Sequence, residues 1–156
     1  MTVKKKIAWT AVIVWMGVIF YLSDQPATES NELSNKITEN IITIVDTIFS
    51  SVNLDINSFN HIVRKNAHFF AYSMLAVFVI NALSKSGMRW YRNSIVTLGV
   101  CIIYAVSDEV HQLVVPGRSG ELRDVLIDSA GASVGICFYW MVTKIFERWR
   151  RMKIWQ

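Results

Sequence analysis

The sequence predicts an all-α membrane protein, with four transmembrane helices and an extracytoplasmic amphipathic helix. Three observations predict it. Hydrophobic residues make up 53% of the chain and the mean hydropathy is +0.33. Four apolar runs approach the roughly 20 residues that a helix needs to cross a bilayer core. The basic residues sit in short flanks beside these runs. With 156 residues, the chain has length for a single integral membrane domain, residues 1–156.

The first span is expected at about residues 7–22. Lys4, Lys5 and Lys6 precede it, as in a signal peptide, but no small-x-small cleavage site follows. We therefore read it as an uncleaved helix, ended by Ser23-Asp24-Gln25-Pro26. Residues 31–52 differ. Leu33, Ile37, Ile41, Ile44, Ile48 and Val52 recur at three- and four-residue spacing, with Glu32, Lys36, Glu39 and Asp46 opposite. That pattern is an amphipathic helix lying on the membrane or capping the bundle. Asn57 or Ser58 can cap the next helix. Its apolar part, about 67–84, spans if Arg64, Lys65 and His68 sit near the headgroups. The third span, about 94–115, stops at Pro116-Gly117, where proline lacks an amide donor and glycine tolerates a left-handed turn. The fourth, about 125–143, leads into the basic tail of Lys144, Arg148, Arg150, Arg151 and Lys153.

Charge sets the expected topology. Lys4 to Lys6, then Lys85, Arg89 and Arg92, then the tail fall on one side, which the positive-inside rule makes cytoplasmic. Both termini are then cytoplasmic in a multi-pass cell-membrane protein, and residues 23–66 and 116–124 lie outside. The net charge of +4 and pI near 9.2 therefore reflect topology. No basic patch interleaved with aromatics suggests nucleic acid. Trp9, Trp140, Trp149 and Trp155 read as interfacial anchors. Cys101 and Cys137 sit inside apolar runs without a CxxC pattern, so they read as small core residues, at similar depth on neighbouring spans. No cofactor motif is present.

The informative stretch is residues 107–135, SDEVHQLVVPGRSGELRDVLIDSAGASVG. Ionisable groups at membrane depth are expensive and usually functional. Helical spacing puts Tyr104, Asp108, His111, Gln112 and Val115 on one stripe of the third span. Glu109 lies about 100° from Asp108, so only one of the two is expected to point squarely into the bundle. Arg64, Lys65, His68 and Tyr72 form a stripe on the second span. Asp124, Asp128, Gly131, Ala132 and Gly135 form another on the fourth. The three stripes are expected to meet in an outward-facing polar pocket. Arg118 is expected to fold back over the carboxylates, because a guanidinium pairs bidentately with them. Gly131-x-x-x-Gly135 is a small-residue packing motif.

Arg64-Lys65-x-x-His68-x-x-x-Tyr72, Ser107-Asp108-Glu109-x-x-Gln112, Pro116-Gly117-Arg118, then Asp124, Gly131 and Gly135 together resemble the VanZ-like family over nearly the whole chain. The resemblance implies a small four-span envelope protein, of a family associated with low-level resistance to teicoplanin. Relatives often carry Asn where this chain has Asp128, so the chain departs from the family there.

Two readings of the pocket stay open. In the first it binds without turnover. The ligand is a membrane lipid, a lipid-linked cell-wall precursor or the lipoglycopeptide itself, with Arg64, Lys65, Tyr72, Gln112, Arg118, Asp124 and Asp128 as binding residues. In the second it is a membrane acid/base enzyme at the outer leaflet, with Asp108, Glu109 and His68 as catalytic groups. A metal variant would use His68, Glu109, His111 and Asp128, but the spacing matches no dedicated motif, so no metal is expected. A structural ion-pair network is the plain alternative to all of these. Four spans without an internal repeat argue against a transporter protomer. Oligomeric state is not readable from the sequence.

Overall fold

A computed structural model describes residues 2–26, 28, 32 and 56–154. Among these residues the structure is all-helical, with four helices long and apolar enough to cross a membrane. They are α1 (Val3–Ser23), α2 (Ile56–Ser84), α3 (Trp90–Gln112) and α4 (Leu122–Ile154). The expected amphipathic helix at 31–52 lies outside the described residues.

The helices alternate in direction, and α2 is the hub. It packs on α1, α3 and α4, most extensively on α4. Its buried stripe is Tyr72, Leu75, Ala76, Val79 and Ile80, the three- and four-residue spacing of one helix face. Ala8, Val12 and Ile19 of α1, Cys101 and Ala105 of α3, and Ala132 and Ile136 of α4 pack around it. Large apolar side chains such as Ile13, Phe70, Ile103 and Phe138 point outward, as a lipid-facing surface requires.

Lipid tails are as apolar as leucine, so close fit and hydrogen bonds must hold such a bundle together. The α2–α4 interface shows both. A Cβ at Gly131 would collide with the Phe69 carbonyl, and one at Gly135 with the Ser73 carbonyl. Ser73 Oγ donates to the Gly131 carbonyl at 2.7 Å. Elsewhere Trp15 Nε1 donates to Ala71 O at 2.9 Å, and Tyr104 Oη to Met16 O at 2.6 Å.

The helix ends separate into two regions. At one end the α2–α3 turn passes through Gly87 at φ 82°. There buried Asn93 donates to Ile80 O and to Ser84 Oγ, and Trp140 Nε1 donates to Ser94 Oγ at 2.9 Å. The other end carries Ser23, His68, Asp108 and Asp128, and we call it the polar end.

Two helix limits differ from expectation. α3 stops at Gln112, and residues 113–115 continue as tight turns, with Val115 N donating to Gln112 O at 3.2 Å. α4 runs on to Ile154. Its 33 residues make roughly 50 Å at ~1.5 Å per residue, longer than a hydrocarbon core of ~30 Å. The excess is the basic tail, with Lys144, Arg148, Arg150 and Arg151 exposed. Cys101 is buried and Cys137 is exposed, and both are free thiols. Cys137 is thus on the outer surface of the bundle, not in its core.

Candidate functional site

The polar end gathers the C-terminal turns of α1 and α3, the first turns of α4, the 113–121 turn and α2 from Arg64 to Tyr72. Helix ends supply unsatisfied backbone groups, and here the side chains meet them. Arg118 donates from Nε to Gln25 O at 2.9 Å and from Nη2 to Leu22 O at 3.1 Å. The guanidinium fork therefore closes the α1 terminus, where free carbonyls and the helix dipole favour a cation. It does not pair bidentately with the carboxylates, as the sequence suggested. The chain reaches this position through Gly117 at φ 76°, which carries Arg118 across to α1. Burial, then the neighbouring Arg64, pushes the Arg118 guanidinium below its ordinary value, while Asp108 and Glu109 pull it back up.

Asp108 and Glu109 are both buried, at 3% and 6% exposure. Only one was expected to face inward. The 100° between them is accommodated by two different neighbours. Asp108 faces α1, where Oδ2 accepts from Ser23 Oγ at 2.7 Å and from Gln112 Nε2 at 3.4 Å. Glu109 faces the α3–α4 turn, where Oε2 accepts from the Glu121 backbone N–H at 2.7 Å. The turn presses tightly on that helix, since a Cβ at Gly120 would sit 2.7 Å from the Glu109 carbonyl.

The α2 stripe meets α4. Lys65 Nζ lies 3.2 Å from Asp124 Oδ1 and 3.6 Å from Glu121 Oε2. His68 Nδ1 lies 3.7 Å from Asp128 Oδ1, beyond hydrogen-bond length. His68 is within Coulombic reach of Asp108, Asp124 and Asp128, and Tyr72 of Asp108 and Asp128. Asp128 and Tyr72 are both 0% exposed. Thus His68, Tyr72, Asp108, Glu109, Gln112, Asp124 and Asp128 converge, with Lys65 at the edge. Arg118 holds the α1 carbonyls and feels the charges of Asp108, Glu109 and Arg64.

His111 is drawn away from this group. Its Nε2 lies 2.9 Å from Asp24 Oδ1, and its ring is 4.6 Å from that of Phe20. Among the described residues, no three His, Cys, Asp or Glu side chains are placed to hold a metal ion. Three participants were not singled out from sequence: Ser23, Asp24 and the Glu121 amide. Ser23 and Asp24 read only as a helix terminator. Their polarity directly after an apolar run was the one available signal.

A bundle of membrane-length helices with a shared ionisable cluster at one end defines a multi-pass membrane protein. The chain belongs to the VanZ/LLP1 family, whose sequence model matches residues 8–145. No match emerges among curated proteins or among solved structures.

Proposed function

We propose that this VanZ-like protein acts in the cell envelope, with its polar end at the outer face. There it binds a membrane lipid headgroup or a lipid-linked cell-wall precursor. Holding that component lowers susceptibility to teicoplanin-type lipoglycopeptides. One observation carries the reading. Asp108, Glu109 and Asp128, from two helices, converge beside His68 and Tyr72 of a third, and each carboxyl keeps an oxygen free of any hydrogen bond among the described residues. A network built only to fix packing gains nothing from such atoms, since each buried unpaired polar group costs about 1–3 kcal/mol.

The test is antibiotic sensitivity in a susceptible Gram-positive host carrying wild type, Asp108→Asn or Glu109→Gln at matched membrane levels. Teicoplanin sensitivity is expected to fall with wild type, vancomycin sensitivity to stay unchanged, and both variants to lose the effect. An identical teicoplanin response with and without the wild-type protein would remove the resistance reading.

A second reading is a membrane-embedded acid/base enzyme acting on a lipid headgroup. Asp108 and Glu109 favour it, because each is anchored through one oxygen and presents the other, the arrangement of a positioned general acid or base. Product formed from lipid by purified protein, and lost in the Asp108→Asn/Glu109→Gln double variant, distinguishes it from binding alone.

A further inference from the structure

The polar end treats cations and acceptors differently. Lys65 faces Asp124 and Glu121, Arg118 faces the Leu22 and Gln25 carbonyls, and His111 faces Asp24. These basic side chains are already matched to acceptors of the protein. Arg64 lies beside Arg118. By contrast, Asp108 Oδ1, Glu109 Oε1, both Asp128 carboxyl oxygens and the Tyr72 hydroxyl are buried and have no hydrogen-bond partner among the described residues, His68 Nδ1 standing off at 3.7 Å from Asp128 Oδ1. Tyr72 is an independent sign, because it is not part of the acidic set. A buried phenol ordinarily finds a partner, and this one is completely buried within reach of Asp108 and Asp128.

With the carboxyls ionised, all five atoms accept hydrogen bonds, and only the Tyr72 hydroxyl also donates. The complement to this set is a donor, and beside three carboxyl groups a cationic donor. A phosphate would bring more acceptors and more negative charge to the same place. Depth narrows the choice further. Asp108 lies four residues from the end of α3, and Asp128 six residues from the start of α4. At ~1.5 Å per residue these are roughly 6 and 9 Å below the helix ends, close to the boundary between headgroups and acyl chains. The half-buried side chains of Lys65, His68 and Asp124, at 18%, 22% and 19% exposure, mark the approach between α2 and α4. Phe70 of α2 and Leu126 of α4 are exposed, as side chains that meet acyl chains are.

We infer that this site takes a primary ammonium group, carried by a lipid headgroup such as that of phosphatidylethanolamine. The inference rests on the lipid-binding reading above and names the headgroup chemistry. The ammonium donates to Glu109 Oε1 and the Asp128 oxygens, and Tyr72 donates to Asp108 Oδ1.

The full-length protein purified in detergent is mixed with phosphatidylethanolamine, phosphatidylcholine and phosphatidylglycerol of identical acyl chains, and bound lipid is counted by native mass spectrometry. Phosphatidylethanolamine is expected to be retained about tenfold over the other two, the scale of one charge-assisted hydrogen bond. Glu109→Gln, which keeps an oxygen for the Glu121 amide, is expected to erase that preference, and Glu147→Gln on the α4 tail to preserve it. Free ethanolamine that competes equally would uphold the ammonium site and assign it a soluble source. Phosphatidylglycerol retained as well as phosphatidylethanolamine would overturn the ammonium inference while leaving lipid binding. Phosphatidylcholine retained equally would overturn it too, because that headgroup has charge without N–H donors. No retention of any lipid would remove both readings.

Discussion

Ser23 in the last turn of α1 donates a 2.7 Å hydrogen bond to Asp108 Oδ2 on α3, and both side chains are buried. It joins residues 85 positions apart and, with the 2.6 Å bond from Tyr104 Oη to Met16 O, ties these two helices together. α1 and α3 otherwise share little surface, so this bond locates the α1 terminus. It also fixes which Asp108 oxygen remains free.

Replacing the donor tests that role. In Ser23→Ala, Asp108 Oδ2 keeps only the long contact from Gln112. The expected loss is about 1–3 kcal/mol, the range for a buried acceptor deprived of its partner. Thermal unfolding in one detergent, compared with Ser23→Thr, checks it. Threonine retains the hydroxyl and should recover most of the stability.

Glycines on α4 and elsewhere should behave oppositely. Gly131→Ala and Gly135→Ala drive a methyl into the Phe69 and Ser73 carbonyls, which cannot yield without separating α2 from α4. Each is expected to destabilise by about 1–3 kcal/mol or more, the scale of overpacking. At Gly17 and Gly99 a Cβ would meet nothing within 4 Å. Alanine there should be neutral or stabilise by up to about 1 kcal/mol through helix propensity. Unfolding of the four single variants side by side measures the contrast.

Much of this architecture is legible in sequence because the bilayer leaves few alternatives. The four apolar runs, the Pro116-Gly117 break and the Gly131/Gly135 spacing each carry their structural meaning locally. The stripes were legible too, since His68, Tyr72, Asp108 and Asp128 follow helical spacing to a common level. Pairings were not. Which acceptor Arg118 would reach depended on where α1 ends in space, and spacing along α3 and α4 holds no information about that. That Asp108 and Glu109 could both be buried was not legible, because the partner of Glu109 is a backbone amide in the next turn, which no residue identity announces. Gln112 and Ser23 likewise become partners only once α1 lies beside α3.

Arg118 gives a prediction of its own, because its two bonds go to carbonyls of α1. In Arg118→Lys a single ammonium cannot reproduce a fork that reaches Leu22 and Gln25 together. The cost is expected to be about 1 kcal/mol, low for charged hydrogen bonds because the contacts are only partly buried. It should appear locally, as faster amide exchange in the last turn of α1 with little change in the core of α2. Hydrogen-exchange mass spectrometry of residues 20–25 against 72–80 reads this. Unchanged exchange at 20–25 would mean that the α1 terminus is held without Arg118.

Glu109 offers the cleanest division between structure and function. Its Oε2 holds the α3–α4 turn through the Glu121 amide, while Oε1 has no partner among the described residues. Glutamine can keep the first role, because its carbonyl oxygen accepts from the same N–H, but it replaces the free acceptor with a donor. Alanine removes both. Glu109→Gln is therefore expected to stay within about 0.5–1 kcal/mol of wild type in stability, allowing for one neutral hydrogen bond in place of a charged one. Glu109→Ala should lose about 1–3 kcal/mol, because the Glu121 amide is left unpaired. If the free oxygen serves a ligand, both variants lose binding or the resistance phenotype, although only alanine loses stability. If Glu109 serves the turn alone, function follows stability, and glutamine retains both. Unfolding and phenotype measured on the same three proteins separate these cases, because the two roles reside on different oxygens of one carboxyl group.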